Sequence, residues 1–336
     1  MTTIYDVGRM AGVSRSTVSR VLNAKGEVDP KTAELVWEAV RKLNYHPNAS
    51  ARALVRKKTD MIGVMLADVS DPFYEKIVKG IESVVNERNM GVFFYNSYDN
   101  LDDHKLIISS ALEGSQVDGL IVVGSNLGDR KTLLEIINQG LPIAFIERYF
   151  SDAKITCVIC DNKQGASTAV EYLLGLGHRR IGCITGNLHR QTGIDRLDGY
   201  KTALQKYDVP VEEELIALGN YQHASGYEGM KQLLTLPEKP TAVFAANDMM
   251  AIGAILAIKE MGLLVPENIS VVGYDDITFA PMVFPQLTTI RQPLYEMGVM
   301  AARGLIDRIT LGDQAEIVKR ILPGELIVRK STRALA

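Results

Sequence analysis

Apolar residues at helical spacing mark three short helices near the start of the chain. Their inner faces are Ile4, Val7, Met10 and Ala11 in the first, Val18, Val21 and Leu22 in the second, and Leu35, Val36, Ala39, Val40 and Leu43 in the third. Thr3 and Ser14 suit the caps of the first two helices, and Gly12 ends the first helix. Two short helices around a glycine-centred turn are typical of a helix-turn-helix arrangement, which the third helix completes.

The rest of the chain alternates short β-branched runs with longer amphipathic stretches. The predicted strands are Ile62–Leu66, Val92–Tyr95, Leu120–Val123, Ile143–Ile146, Thr156–Ile159, Ile181–Thr185, Ala242–Ala245, Ser270–Gly273 and Thr288–Ile290. The predicted helices lie near 73–88, 103–113, 131–139, 163–175, 195–206, 225–235, 248–262 and 294–311. This alternation predicts parallel sheets wound by helices. Because the number of predicted strands is too large for one compact doubly wound domain, we expect two lobes.

Charge is distributed unevenly along the chain. The 336 residues carry 37 Lys and Arg against 40 Asp and Glu, a net charge of -3. Residues 1–59 hold 11 basic and 5 acidic side chains, or +6, which leaves -9 for the remainder. A basic module on an acidic body favours a nucleic-acid reader joined to a separate domain. A basic, solvated helix pair without a partner is the alternative, and charge alone leaves it open.

The second predicted helix carries side chains that suit a DNA groove. Arg15 and Ser16 lie at its start, and Arg20 lies one turn further on. Arginine can bind guanine through two hydrogen bonds, worth about 1–3 kcal/mol of discrimination, whereas hydroxyl groups suit phosphate contacts. The predicted major-groove and phosphate contacts are Thr3, Tyr5, Ser14, Arg15, Ser16, Thr17, Ser19, Arg20 and Asn23.

Polar side chains also follow several predicted strands of the body. These segments are Asp68–Tyr74, Glu147-Arg148, Asn247-Asp248 and Tyr274–Asp276. Ligands of doubly wound sheets bind at the carboxyl ends of the strands, and carboxylates, amides and aromatic rings there suit a polyhydroxylated ligand. The alternative for each residue alone is a helix cap, which fits Asp71, Asp161 and Asn247 because each precedes a predicted helix.

Other chemistry has little support. Cys157 and Cys160 have C-x-x-C spacing, but no second pair or nearby histidine pair accompanies them, so we expect buried structural cysteines. His178 lies in a predicted helix-to-strand turn, and neither a phosphate-binding loop nor a nucleophile elbow is present. We therefore predict no catalytic residue, no metal site, no cofactor and no enzyme activity.

The sequence contains no apolar run of about 18 residues, which predicts no membrane contact. Its first residues, MTTIYDVGRM, lack the apolar core of a signal peptide. We therefore expect a cytoplasmic, nucleoid-associated protein.

Four segments, TIYDVGRMAGVSRSTVSRVLN, LNYHPNASARAL, ANDMMAIGA and VVGYDD, resemble the LacI/GalR family of bacterial transcription repressors. The resemblance runs in matching order from Thr3 to about Ser331. Gly8 departs from it, because the family usually has alanine there. The resemblance implies an all-α helix-turn-helix DNA-binding headpiece and an α/β body like the periplasmic sugar-binding proteins. That body would have two doubly wound lobes joined by three crossing strands.

The resemblance also implies the domain boundaries. The predicted domains are a helix-turn-helix domain over 1–46, a hinge helix and linker over 47–59, and a ligand-binding and dimerisation domain over 60–336, with an N-lobe of about 60–159 and 291–321 and a C-lobe of about 160–290 and 322–336. The hinge helix would order on operator DNA and insert a leucine into the minor groove, as apolar side chains can do. The predicted hinge contacts are Asn48, Ala51, Arg52 and Leu54, the alternative being a flexible linker.

Motif matching places seven residues of the body at ligand positions of the family. Arg196 matches the main ligand-gripping arginine, Asp275 a ligand carboxylate, and Tyr221 a stacking position. A planar fork of donors suits adjacent hydroxyl groups or a carboxylate. The predicted ligand contacts are Phe73, Glu147, Thr192, Arg196, Tyr221, Asn247 and Asp275.

These features predict a sequence-specific transcriptional regulator that represses carbohydrate-utilisation genes. A sugar or sugar phosphate between the lobes would change the affinity for palindromic operator DNA, so that effector and operator affinities are reciprocally coupled. A palindrome requires two recognition helices, and no heptad extension follows Val328–Thr332, so we expect a homodimer.

Several alternatives remain open. Among regulators, they are a global carbon-catabolite regulator controlled by a phosphoprotein partner and a repressor that needs a purine-type co-repressor. Outside that class, the chain could be a sugar-binding protein that serves a transporter, or an enzyme that uses the cleft carboxylates. The basic helix-turn-helix and the lack of a signal peptide disfavour the first of these, and the lack of a paired acid and base disfavours the second.

We expect Arg15→Ala to weaken binding to cognate operator by about tenfold while hardly changing binding to random DNA, because it removes a base contact. Lys57→Ala should weaken binding to both DNAs alike, because a phosphate contact carries no sequence information. Titration of both variants with cognate and random duplexes measures this difference. Equal losses on the two DNAs for Arg15→Ala would contradict the assignment.

Overall fold

The computed structural model describes residues 2–22, 28–45, 58–97, 106–111, 116–124, 140–150 and 155–335. The chain divides into two compact units, Met1–Asp60 and Met61–Ala336. The predicted helix at 131–139 lies outside the described residues. So do the predicted DNA contacts Asn23, Asn48, Ala51, Arg52 and Leu54.

The first unit contains the three predicted helices, α1 (Ile4–Ala11), α2 (Arg15–Leu22) and α3 (Pro30–Lys42). The Asp6 carboxylate accepts hydrogen bonds from the Thr3 N–H (2.9 Å) and hydroxyl (2.7 Å) at the start of α1. Gly12 ends α1 at a φ of 68°, a left-handed conformation that glycine adopts without strain. The Ser14 hydroxyl accepts the Thr17 N–H (3.2 Å) at the start of α2. The buried core consists of Val7, Val18, Val21, Val36 and Ala39.

Two residues assigned to this core from the sequence are half exposed. Met10 and Leu35 each keep 51% of their surface accessible, so their assignment to the inner face is wrong. Leu35 is displaced by about 100° around α3 from the buried Val36, which puts it beside the core. Trp37, the only tryptophan of the chain, is also on the outer side of α3 and is 43% exposed.

Gly8 allows the turn after α1 to close tightly. Its carbonyl accepts the Val13 N–H (3.0 Å), and a Cβ at this position would lie 2.9 Å from the Val13 carbonyl oxygen. An alanine would therefore have to move the turn by a few tenths of an ångström.

The second unit is built from two six-stranded sheets. Its strands are β1 (Met61–Leu66), β2 (Gly91–Asn96), β3 (Gly119–Val123), β4 (Ile143–Ile146), β5 (Thr156–Cys160), β6 (Ile181–Ile184), β7 (Ile216–Ala217), β8 (Ala242–Ala245), β9 (Ser270–Asp275), β10 (Thr288–Arg291), β11 (Lys319–Leu322) and β12 (Glu325–Ile327). The sheet orders are β11-β5-β4-β3-β1-β2 and β12-β10-β9-β8-β6-β7. All neighbouring strands are parallel except the antiparallel pair β10 and β12.

Helices pack against these sheets in two groups. The helices are α4 (Phe73–Glu87), α5 (Asn162–Gly175), α6 (Gln191–Lys206), α7 (His223–Leu234), α8 (Asp248–Glu260) and α9 (Leu294–Leu311), together with the helical residues 106–111 and the 3₁₀ turns Glu213–Leu215 and Gly312–Gln314. Helices α4 and α9 share a core with the first sheet, and we call this group the N-lobe. Helices α5–α8 share cores with the second sheet, which forms the C-lobe. None of the described helices is long and apolar enough to cross a membrane.

The chain passes between the two lobes three times, between β5 and α5, between β10 and α9, and between β11 and β12. The predicted body of two doubly wound lobes is therefore confirmed. All nine predicted strands are present, whereas β7, β11 and β12 were not predicted. These three strands have two to four residues and lie at or beside sheet edges, so they lack the buried apolar run that identifies a strand.

Glycines let α7 and α8 pack backbone against backbone. A Cβ at Gly226 would lie 2.1 Å from the Met250 carbonyl oxygen, and one at Gly253 would lie 2.2 Å from the His223 carbonyl oxygen. Neither approach leaves room for a methyl group, because backbone atoms cannot rotate away as side chains do.

We expect Gly226→Ala to destabilise the body by about 1–3 kcal/mol, because it must separate α7 from α8. Gly175→Ala is the matched control, since the last residue of α5 has open space where its Cβ would be. The control should be neutral or stabilising by up to about 1 kcal/mol. Urea unfolding of both variants measures the difference, and equal stabilities would show that the close approach is unimportant.

Candidate ligand site and DNA-binding surface

Residues from both lobes line one cleft that is open to solvent. The lining residues are Asp71, Phe73, Tyr74, Gly124, Glu147, Arg190, Thr192, Arg196, Tyr221, Asn247 and Asp275. All seven predicted ligand contacts are among them. Asp71, Tyr74, Gly124 and Arg190 were not among the predicted ligand contacts, although Asp71 and Tyr74 belong to the segment Asp68–Tyr74 that was expected at the end of a strand. Most of the lining follows the carboxyl ends of strands, where doubly wound sheets bind ligands.

Arg196 is the centre of the cleft's polar network. This side chain of α6 is only 3% exposed. Its Nε donates to Asn162 Oδ1 (2.8 Å), and its Nη1 donates to the Ala246 carbonyl (2.5 Å) and lies 3.2 Å from Asp275 Oδ1. Its Nη2 lies 4.0 Å from Glu147 Oε2. Burial opposes the charge of the guanidinium, but the surrounding anionic groups, Asp275 first, keep the pKa of Arg196 above its ordinary value.

Three carboxyl groups of the cleft resist ionisation. Burial raises the pKa of Asp275 to about 7, although Arg196 acts in the opposite direction. Burial also raises the pKa of Glu147, again against the influence of Arg196. The pKa of Asp71 is raised for the same reason, and the neighbouring Asp68 adds to the effect. A ligand that donates hydrogen bonds to these groups would compensate their lost hydration.

Several side chains of the cleft stand on strained backbone. Glu147, Tyr221 and Asp275 have φ values of 66°, 74° and 113°, in the left-handed region that residues with a Cβ avoid. Such conformations each cost about 1–3 kcal/mol and cluster at functional sites. Their coincidence at one cleft supports its role as a binding site.

Tyr221 is held against the polypeptide backbone. Its hydroxyl lies 2.9 Å from Thr192 Oγ1, and its ring fills the space where a Cβ atom of Gly186 would be. The Arg190 guanidinium lies 5.5 Å from the ring centroid. The ring is therefore fixed before any ligand arrives, which reduces the entropy cost of stacking on it.

Two residues bond the start of a helix and also line the cleft. Asn247 Oδ1 accepts the Met250 N–H at the start of α8 (2.9 Å), while its Nδ2 donates to the Tyr221 carbonyl (2.9 Å). Asp71 Oδ1 accepts the Phe73 N–H at the start of α4 (2.9 Å). The capping interpretation is correct for Asn247, whereas Pro72 is the N-cap of α4 and Asp71 precedes it. Both contacts fix the orientation of these side chains in the cleft.

The described DNA contacts predicted from the sequence lie on the surface of the first unit. Thr3, Tyr5, Ser14, Arg15, Ser16 and Arg20 are exposed, and Thr17 and Ser19 are partly so. Arg15 Nη1 donates to the Tyr5 hydroxyl (2.9 Å), and its guanidinium lies 5.5 Å from the centre of that ring. The structure thereby brings α1 and the start of α2 together as one polar surface.

The remaining reactive side chains are buried. Cys157, Cys160 and Cys183 are free and inaccessible, and burial raises the pKa of Cys160 to about 12. His178 Nδ1 lies 2.9 Å from Thr241 Oγ1 and its Nε2 3.1 Å from the Arg333 carbonyl, which fits the structural role expected of it. No group of three or more potential metal ligands occurs in the described part of the chain.

Comparison with known proteins gives consistent matches. Residues 3–48 match the model of bacterial regulatory proteins of the lacI family, and residues 170–332 match a periplasmic binding protein-like domain. The chain is 36% identical to catabolite control protein A of Priestia megaterium over 98% of its own length and 99% of that protein. It is 39% identical to the transcriptional repressor PurR of Proteus mirabilis over 92% of its length and 91% of that protein. A lac repressor dimer bound to operator and the anti-inducer ONPF has a TM-score of 0.87 at 31% identity, covering 99% of both chains.

The raised pKa of Asp275 predicts a pH-dependent stability. Its ordinary value is 3.8 and its folded value about 7, so between these limits the folded state binds more protons than the unfolded state. The free energy of unfolding should therefore fall as pH rises through this window, by up to about 1.4 kcal/mol per pH unit. Above the window it should no longer change with the ionisation of Asp275.

Asp275→Asn should remove this contribution, because an amide does not titrate. The amide oxygen can still accept the hydrogen bond that Gln292 Nε2 donates (2.7 Å), so the substitution keeps that contact. Urea unfolding of both proteins from about pH 5 to pH 8 gives the stability difference at each pH. A difference that does not change with pH would show that Asp275 is ionised throughout.

Proposed function

Because the chain belongs to the lacI family of bacterial regulatory proteins, it is a DNA-binding transcriptional regulator, and we propose that its effector is an uncharged, hydroxyl-rich molecule of sugar size. The observation that supports this proposal most directly is the charge of the cleft. Among the described residues that line the cleft, Asp71, Glu147 and Asp275 are accompanied by two arginines, Arg190 and Arg196. One of those, Arg196, is already bonded to protein acceptors.

A phosphorylated sugar fits this charge poorly. A phosphate dianion would add negative charge beside carboxyl groups that already resist ionisation, whereas hydroxyl groups can donate hydrogen bonds to them. Tyr221 and Phe73 offer apolar ring faces for the carbon skeleton of a sugar. Of the two ligand classes expected from the sequence, the geometry therefore favours the neutral sugar.

The DNA-binding side of the proposal rests on the first unit. Arg15, Ser16 and Arg20 are exposed at the start and along one side of α2, where a recognition helix presents base contacts. The comparable lac repressor structure contains operator DNA. We infer that this chain represses genes of carbohydrate use by binding a palindromic operator.

A palindromic operator requires two recognition helices, so we propose a homodimer. An apolar patch of the C-lobe is the proposed contact surface between the two copies. The patch consists of Leu256, Phe279, Met282 and Phe284, which are 41%, 46%, 68% and 81% exposed. Lys259, one turn along α8 from Leu256, donates to the Phe284 carbonyl and holds the patch together. Exposed apolar side chains of this size are typical of interaction sites. A second copy of this chain is the proposed occupant, as in the lac repressor dimer.

Matched sugar pairs test the proposal. We expect neutral sugars, such as glucose and ribose, to include compounds that raise the thermal midpoint and change operator affinity, and their phosphorylated forms to do neither. Arg196→Lys should weaken the response at least about tenfold, because lysine lacks the planar fork of donors. Arg180→Lys is the matched control, since Arg180 pairs with Glu212 and Glu214 outside the cleft.

Stronger binding of a sugar phosphate or a purine would contradict the proposed effector class. An operator affinity that responds to a phosphoprotein but to no small molecule would favour the catabolite-control alternative.

A further inference from the structure

The turn after β9 joins the ligand cleft to the other lobe. Asp275 and Asp276 both have positive φ values, 113° and 55°, so the chain reverses sharply as it leaves the strand. The Asp275 carboxylate faces the cleft, whereas the Asp276 carboxylate accepts hydrogen bonds from Arg291 Nε (2.8 Å) and Arg329 Nη2 (2.6 Å). Adjacent carboxylates are thereby directed to a ligand site and to a structural arginine pair.

Buried side chains fix this turn within the C-lobe. The Ile277 N–H donates to Oδ2 of the fully buried Asp248 (2.9 Å), and Oδ1 of Asp248 accepts the Thr289 hydroxyl (2.5 Å). Gln292, on the crossing segment after β10, donates to Asp275 (2.7 Å). The turn therefore moves as one piece with β9 and the crossing segment.

Two hydrogen bonds connect this turn to α4 of the N-lobe. Lys76 Nζ donates to the Asp276 carbonyl (2.6 Å), and the Thr278 hydroxyl donates to Glu75 Oε2 (2.5 Å). We call these two contacts the interlobe bonds. Glu75 and Lys76 lie in the first turns of α4, which begins at the cleft residue Phe73. A short segment on each lobe thus carries both a cleft residue and an interlobe bond.

The geometry points to Lys76, Glu75 and Thr278 as positioning residues that hold the two lobes together across the rim of the cleft before effector binds. None of the three is among the described residues that line the cleft. Because Asp275 and Asp276 are adjacent, the carboxylate that faces the cleft and the carbonyl that Lys76 binds belong to the same turn. The interlobe bonds therefore set how much of the protein is in the closed arrangement, and so the apparent affinity for effector.

Lys206 provides a matched control within one lobe. Its Nζ donates to Glu171 Oε2 (2.7 Å), which joins α6 to α5. Both helices belong to the C-lobe, so this contact connects no second lobe. Lys76→Met and Lys206→Met therefore remove the same charge, but only the first breaks an interlobe bond.

Distances between spin labels test the inference without knowledge of the effector. Labels at Glu82→Cys on α4 and Lys239→Cys in the C-lobe, both exposed positions, report the separation of the lobes in the full chain. Dilution with unlabelled protein removes signals between chains. The native cysteines are buried, and burial raises the pKa of each thiol, so they label slowly.

We expect the combined Lys76→Met and Thr278→Val substitutions to lower the ratio of closed to open protein about tenfold in the absence of ligand. Lys206→Met should leave the distance distribution of the labelled chain unchanged. Thermal unfolding, measured in parallel, separates lobe opening from loss of the fold, and each single substitution repeats the test should the pair fail to fold.

Three results would overturn the inference. The first is a double variant with the same distances as the unsubstituted chain. The second is a Lys206→Met variant that opens equally. The third is an unsubstituted chain that is already open without ligand.

Discussion

The buried guanidinium of Arg196 is the interaction on which the cleft depends. Three carboxyl groups and several backbone carbonyls converge at the ends of parallel strands, and their desolvation is unfavourable unless a cation or hydrogen-bond donors compensate it. Arg196 donates to Asn162 and to the Ala246 carbonyl of the C-lobe, and it lies beside Glu147 of the N-lobe. The same side chain therefore stabilises the empty cleft and limits which ligands can enter it.

Regulation of such a protein requires that ligand binding in the cleft change the conformation of the rest of the chain. The turn at Asp275 and Asp276 meets this requirement through backbone geometry instead of a long chain of side-chain contacts. One residue faces the ligand site, the next is fixed to two arginines, and its carbonyl binds the other lobe. A displacement of the first residue cannot remain local, because left-handed backbone leaves few alternative conformations.

The sequence contains much of the fold and part of the site. Buried β-branched strands and capped helices are visible as patterns, so both lobes and the three N-terminal helices were predictable. Glu147, Asn247 and Asp275 could be found because they follow such strands. Arg196 could not, because a buried arginine on a helix gives no periodic signal, and only the family resemblance identified it.

Other features are invisible in one sequence for a physical reason. Lys76 resembles any solvated lysine of an amphipathic helix, and its partner, a backbone carbonyl two hundred positions away, has no side-chain signature. Arg190 lies at a helix start, where nothing distinguishes it from a surface residue. Short strands such as β11 are recognised by their neighbours and not by their own composition.

The position of Trp37 gives the molecule an optical property. Trp37 is the only tryptophan and belongs to the three-helix unit. When the protein is excited at wavelengths that only tryptophan absorbs, the fluorescence therefore originates in the DNA-binding part alone. The body contains most of the tyrosines, which contribute to absorption but emit no fluorescence when tryptophan is excited selectively. The half-exposed indole therefore senses the environment of the headpiece while the effector cleft remains spectroscopically silent.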